Sequence, residues 1–299
     1  MDYKNITVAG SGVLGSQIAY QTAFKGLNVA IYDINDSAIE SSKKRLAKLK
    51  KNYRNDMGAS EAQLDAAYGR LSFHTNLAEA VADADLVIEA IPEVADIKTA
   101  FYKDLGKAAP KKTVFVTNSS TLLPSQFAEA TGRPEKFLAL HFANTIRINN
   151  TAEIMKHPGT DEQVFEDVIQ FAEAIGMVPL PLHKEQPGYI LNSLLVPFLE
   201  AAELLLVKKV ADVETVDKTW MIATGAPLGP FAILDVVGIN TAHNIVKAKA
   251  AATGNPKFVE LAHMLKSEYL DKGKLGRETG EGFYSYPNPA FMKEDFLKN

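Results

Sequence analysis

A chain of 299 residues is long enough for one large or two medium domains. Hydrophobic residues make up 46% and charged residues 23%, the balance of an ordinary soluble globular protein, and a net charge of -4 gives no pull toward nucleic acid or an anionic membrane. There is no cysteine, which excludes disulfides, thiol catalysis and cysteine-ligated metals, and no metal site is expected.

Strand-like residues begin almost at once, with ITVAG at 6–10. No basic segment, apolar core and cleavage site precede them, so no secretory signal is expected and the cytoplasm is the default address. Further candidate strands follow at 28–34, 70–75, 85–92, 113–118, 137–142 and 177–182, with a poorly periodic candidate at 151–158. Helical patterns begin near Leu14, Asp36, Leu77, Val94, Pro124 and Asp161. Strand–helix alternation of this kind predicts right-handed crossovers and a mostly parallel sheet covered on both faces.

One insertion, about 36–70, is too long for a minimal crossover and carries Lys43, Lys44, Arg45, Lys48, Lys50, Lys51 and Arg54, with only Glu40, Asp56 and Glu61 to offset them. Two readings stay open: a solvated helix face, or a basic arm that meets a polyanionic ligand such as a phosphorylated carrier. Near Glu185-Gln186-Pro187-Gly188 the rhythm changes, and the boundary is set at about 185. Residues 186–299 read as an all-α domain, broken at Gly225-Ala226-Pro227, Gly229-Pro230, Gly238 and Gly254-Asn255-Pro256. The apolar stretch 189–207, interrupted by Asn192, Ser193, Pro197, Glu200 and Glu203, reads as a buried amphipathic helix rather than a membrane span.

VAGSGVLGSQIA places Gly10, Gly12 and Gly15 in the spacing G-x-G-x-x-G, after a strand and opening a helix. Gly10 permits the tight turn, Gly12 lets the backbone approach a pyrophosphate, and Gly15 lets the helix pack on the strand. The helix N-terminus then offers amide donors to the phosphates. Asp33, closing the next strand, is placed to accept from the adenosine ribose hydroxyls and to repel a 2′-phosphate, which favours NAD over NADP. Residues 1–185 are therefore expected to form a Rossmann-type, doubly wound α/β domain that binds NAD.

Ligands of such sheets sit beyond the carboxyl ends of the strands. IEAIPE ends one strand with Glu93 and leads to Lys98, VTNSST ends another with Asn118, Ser119 and Ser120, and FLALHFAN ends a third with His141 and Asn144. Oxidising an alcohol with NAD removes a hydride from carbon and a proton from oxygen, and a neutral imidazole is matched to the proton. A carboxylate on the far ring nitrogen fixes the tautomer and stabilises the imidazolium, and Glu153 is the nearest downstream acid able to do this. Asn192 lies on a helix line with Leu195, Leu199, Ala202 and Leu206, so its amide needs partners. A neighbouring loop would satisfy it, as a helix cap would satisfy Ser120.

These motifs, with QPGYILNSLLVP, GAPLGPFAILDVVG and GEGFYSYP, resemble in order the L-3-hydroxyacyl-CoA dehydrogenases over nearly the whole chain. The resemblance implies His141 as general base with Glu153 as its partner, Ser120 on the reacting oxygen and Asn192 on the substrate. It implies cofactor-side or active-site contacts for Glu93, Lys98, Asn118 and Asn144, a small-molecule substrate (an acyl-CoA) and a homodimer built on the helical domain. The chain departs from the family pattern HFFNP at HFANT, where Thr145 replaces proline and Ala143 an aromatic, and Arg147, Asn149 and Asn150 make the following loop polar. Arg147 suits a small, polar or anionic substrate, such as a free hydroxy acid or a short acyl-CoA, or is a loop arginine facing solvent. The rival functions are a dehydrogenase of free 3-hydroxy acids, carnitine-like or sugar acids, and an NAD-binding protein without turnover.

Overall fold

The structure is a computed structural model that describes residues 3–298. It falls into a first unit that runs to Ile190 and a second that begins at Leu191. Eight strands lie in the first unit: β1 (Asn5–Ala9), β2 (Asn28–Tyr32), β3 (Leu71–His74), β4 (Leu86–Glu89), β5 (Val114–Thr117), β6 (Phe137–Phe142), β7 (Thr151–Met155) and β8 (Val178–Leu182). They form one sheet in the order β3-β2-β1-β4-β5-β6-β7-β8. All neighbours are parallel except β6 and β7, so the poorly periodic segment is a strand, and it turns back on the one before it. The order reverses between β1 and β4, the switch point at which a doubly wound sheet opens a crevice.

The helices of this unit are α1 (Val13–Phe24), α2 (Asp36–Met57), α3 (Glu61–Tyr68), α4 (Leu77–Val81), α5 (Ala95–Ala108) and α6 (Glu162–Ala174). Strands β4, β5 and β6 are buried along their whole length, because both faces of the sheet are covered. Successive side chains serve opposite faces. Leu86, Ile88, Val114, Val116, Leu138 and Leu140 pack with residues of α1, α2, α3 and α6, while Val87, Phe115 and Phe137 pack with Val81, Tyr102 and Leu105.

No α-helix starts at Pro124. Three single 3-10 turns, at 124–126, 129–131 and 134–136, stand there instead. Gly132 takes φ +68 and Pro134 follows, a pair that ends helical propagation before a second turn can form. The expected insertion is the hairpin of α2 and α3. Asn35 caps α2 by accepting from Ala38 N, Gly58 closes it at φ +65, and Ser60 and Gln63 form a capping box on α3.

In the second unit α7 (Tyr189–Val207, its first two residues in the first unit), α8 (Val213–Thr224), α9 (Pro230–Val237), α10 (Ile239–Thr253) and α11 (Pro256–Glu268) follow one another. Gly225, Gly238 and Gly254, all at positive φ, stop α8, α9 and α10 where the breaks were expected. After Glu268 the chain is irregular, with single turns only. Buried carboxylates hold this tail: Asp235 accepts from Phe283 N, Tyr284 N and Tyr286 Oη, and Asp217 accepts from Tyr284 Oη and from the first amides of α9. Helix α7 departs from the expectation of a buried helix. Its most apolar window has a mean hydropathy of 1.8, enough by length and composition to cross a membrane, yet only 22% of that window is buried within the chain. Leu191, Leu194 and Leu205 are exposed, whereas Glu200 and Glu203 are buried.

Candidate active site

Two glycines of the turn after β1 leave no room for a side chain. Gly10 has φ +96, and a Cβ there would lie 2.4 Å from the carbonyl oxygen of Ala90, just past β4. A Cβ on Gly15 would lie 1.9 Å from the Gly10 carbonyl oxygen. Gly12 differs: a Cβ there would meet no atom within 4 Å, so its backbone faces open space at the start of α1, where no side chain caps the helix. A backbone bared in front of uncapped amides fits a dinucleotide pyrophosphate. Asp33, half-buried, accepts from Ser11 N at 2.8 Å and Ser11 Oγ at 2.6 Å through one oxygen and from Ile34 N through the other. It therefore braces the glycine turn from the end of β2.

In front of this turn lies a cleft of about 210 Å³, lined by Gly12 to Gly15, Ala90, Ile91, Glu93, Lys98, Asn118 and Ser120. Its floor is ionic. Glu89, wholly buried, accepts from Lys98 Nζ at 2.5 Å, Thr117 Oγ1 at 2.7 Å, Tyr102 Oη at 2.8 Å and Ile91 N at 2.9 Å. Four donors satisfy a carboxylate that would otherwise be costly to bury. Lys98, also buried, reaches on to Glu93 at 3.3 Å. The other Glu93 oxygen accepts from Ser119 Oγ, Ser120 N, Thr121 N and Thr121 Oγ1 at 2.5–3.0 Å. Burial pushes the Glu93 carboxyl up, but the bonds from Ser119 and Thr121 and the Lys98 charge outweigh it and hold it below its ordinary range. Glu93 and Lys98 thus face the cleft while organising the loop after β5.

That loop meets the histidine. Antiparallel pairing sets His141 of β6 directly opposite Glu153 of β7, which explains the twelve-residue spacing. His141 Nδ1 lies 3.1 Å from Glu153 Oε2, and Nε2 lies 3.2 Å from Ser120 Oγ. A carboxylate only accepts, so Nδ1 carries the proton and Nε2 is left to accept. Glu153 Oε1 takes Ile190 N at 2.8 Å. Both side chains are nearly buried, at 7% and 3% exposure, which keeps the pair from being screened by water. Ser119 Oγ, not Ser120, accepts the amide of Leu122 and so caps the following turn.

Of the other expected residues, Asn118 lines the cleft and accepts from Phe142 N through Oδ1. Asn144 is exposed on the loop after β6, outside the cleft lining, where its carbonyl accepts from Asn149. Asn192 is half-buried near the start of α7, in the second unit. Arg147 pairs with Asp56 near the end of α2, Nε donating at 2.7 Å, and its side chain is 13% exposed. Thr145 has φ +64, and its amide and that of Ile146 donate to Gln17 Oε1 of α1. Proline is locked near φ −65°, so the loop takes a path that the proline of HFFNP excludes. Two residues of the site went unseen in the sequence. Glu89 was hidden inside an apolar run, where an acid with no expected partner was itself the signal. Tyr189 stacks on His141, and only its place after Gly188, beside the domain boundary, hinted at it.

A dinucleotide cleft at the switch point, with a histidine–carboxylate pair at its edge, defines an NAD-linked oxidoreductase of the doubly wound class. The chain matches the 3-hydroxyacyl-CoA dehydrogenase NAD-binding domain over residues 5–186 and the C-terminal domain of the same family over 188–286. It belongs to the 3-hydroxyacyl-CoA dehydrogenase family, and its cofactor is NAD. It is 33% identical to the human mitochondrial hydroxyacyl-coenzyme A dehydrogenase, over 95% of this chain and 91% of that one. A probable 3-hydroxybutyryl-CoA dehydrogenase of Bacillus subtilis is 32% identical, over 96% and 98%. The solved structure of a diketoreductase, described as performing substrate-directed dual catalysis of dicarbonyl compounds, is 55% identical and superposes with a TM-score of 0.91, over 96% of this chain and all of that one.

Proposed function

We propose that the protein interconverts a 3-hydroxyacyl-CoA and the 3-oxoacyl-CoA, with His141 as the base. The observation that carries this reading is the single imidazole held between Glu153 and Ser120 at the rim of the glycine-loop cleft. Bound NAD supplies the hydride acceptor. Ser120 Oγ orients the substrate hydroxyl toward His141 Nε2, which takes its proton. The imidazolium that results is stabilised by Glu153 across Nδ1. In the reverse direction the same ring returns the proton to the carbonyl oxygen. Gly12 and the first amides of α1 hold the pyrophosphate, and Asp33 the adenosine ribose. By resemblance Asn192 contacts the substrate.

The basic arm supports a CoA thioester. Of its seven bases, Lys43, Lys50 and Arg54 pair with Glu40, Asp65 and Glu61, and Arg45 donates to the Ser11 carbonyl. Lys44, Lys48 and Lys51 stay exposed with no ion pair among the described residues, the array a phosphorylated carrier would meet. The apolar residues that α7 leaves exposed support a homodimer built on that helix.

A second reading, reduction of free dicarbonyl compounds, is favoured by the 55% identity to the diketoreductase and by the altered loop at Thr145. The two are chemically continuous, since a 3-oxoacyl thioester is itself a 1,3-dicarbonyl. The test is NADH absorbance with 3-hydroxyacyl-CoAs and 3-oxoacyl-CoAs of several lengths beside free 3-hydroxy acids, carnitine and free 1,3-diketones. Preference for thioesters supports the first reading. Turnover of the free diketones at equal kcat/KM, unaffected by charge reversal of Lys44, Lys48 and Lys51, selects the second.

A further inference from the structure

We infer that Tyr189 is a positioning residue that sets the His141 ring and the Ser120 loop against each other, through its ring face and its hydroxyl respectively. The inference rests on the role proposed for His141 and Ser120. Tyr189 is 1% exposed, and its ring lies 4.5 Å from the imidazole at 17°, a stacked pair. Its hydroxyl donates to the Ser119 carbonyl at 2.7 Å, one residue before the hydroxyl that meets His141 Nε2. The next amide, that of Ile190, donates to Glu153. Two consecutive residues therefore touch the histidine, its carboxylate and the serine loop.

The backbone argues the same way. Tyr189 has φ +56, directly after Gly188 at φ +80. A left-handed conformation at a residue with a Cβ costs on the order of 1 kcal/mol and persists where surrounding contacts over-determine it. Here those contacts are the stack and the hydroxyl bond. A nearly parallel aromatic neighbour stops the imidazole from turning about its Cβ–Cγ bond, so Nδ1 stays on Glu153 while Nε2 stays on Ser120. The hydroxyl fixes the height of the loop, and with it the distance from Ser120 Oγ to Nε2.

The test is a double-mutant cycle on the full chain with NAD. Tyr189→Phe keeps the stack and loses only the hydroxyl, and kcat is expected to fall about tenfold with the KM for NAD unchanged. In a Ser120→Ala background the same change is expected to cost less than about twofold, because the geometry it protects is already gone. A tenfold loss in both backgrounds, or no loss in either, overturns the inference. A second readout needs no substrate: nitrogen NMR of the His141 ring in the NADH complex. Wild type and Tyr189→Phe are expected to hold one tautomer, protonated at Nδ1, and Tyr189→Leu to show averaged shifts at an unchanged fold. A single tautomer in Tyr189→Leu contradicts the clamp even if the substrate proves to be of another class. A wild type inert toward every 3-hydroxy and 1,3-dicarbonyl compound sinks the proposed reaction while leaving the NMR result to judge Tyr189.

Discussion

Glycines that share a motif do different work. At Gly10 and Gly15 a methyl group collides with fixed backbone, so an alanine at either position disrupts the turn itself. At Gly12 the methyl has room, so Gly12→Ala leaves the fold intact and intrudes only where the pyrophosphate belongs. Thermal melting without cofactor is expected to match wild type within about 1 kcal/mol, while NADH affinity falls by roughly tenfold or more. An unchanged affinity would place the phosphates elsewhere. Glu153→Gln tests the neighbouring pair. It keeps the shape of the acid and removes the charge that stabilises imidazolium, so kcat is expected to drop by about two to four orders of magnitude with NADH binding retained. Activity near wild type would leave Glu153 a mere strand-pairing residue.

At the scale of the element, the sheet was largely legible, because β-branched runs with helical spacers have few other solutions. Strand β7 was the weak point. Its residues alternate only as far as Ile154 and run on into Met155, Lys156, His157 and Pro158, so the periodicity of 151–158 is poor, while both faces of the strand are buried and its antiparallel direction follows from the loop that precedes it. The pairing of His141 with Glu153 was legible from chemistry before the register explained it. The Tyr189 stack was not, since it depends on a left-handed backbone after Gly188 that no periodicity announces. Arg147 read equally well as a ligand for an anion or a solvent-facing loop residue, and its largely covered pairing with Asp56, near the end of α2, was announced by neither. The buried ion pair linking β4 and α5 makes its own prediction. Lys98→Met leaves Glu89 without its cation and is expected to destabilise the protein by about 3–5 kcal/mol. Adding Glu89→Gln should recover much of that, as measured by urea melts. A double variant no more stable than the single one would mean that the pair is needed for shape rather than charge balance.

For the molecule as a whole, stability and pH are linked through α7. Burial, with the Glu200 charge adding to it, raises the Glu203 carboxyl to about 8. One of its oxygens has no hydrogen-bond partner among the described residues. The folded state therefore keeps a proton that the unfolded chain gives up near 4.5, so stability from this group is full below 4.5 and drains away as pH rises to about 8. Glu203→Gln removes that slope, and its melting temperature at pH 8 is expected to exceed wild type by roughly 5 °C, with little difference at pH 4.5. Equal gains at both ends would show that Glu203 is ionised in the folded protein.

The reaction chemistry rests on one atom, Nε2 of His141, and the most direct measurement is turnover of His141→Ala beside its affinity for NADH. Loss of about two to four orders of magnitude in kcat, with NADH bound as tightly as by wild type, is the result expected for a missing general base. Turnover within a few fold of wild type, or a parallel collapse of NADH binding, would contradict it.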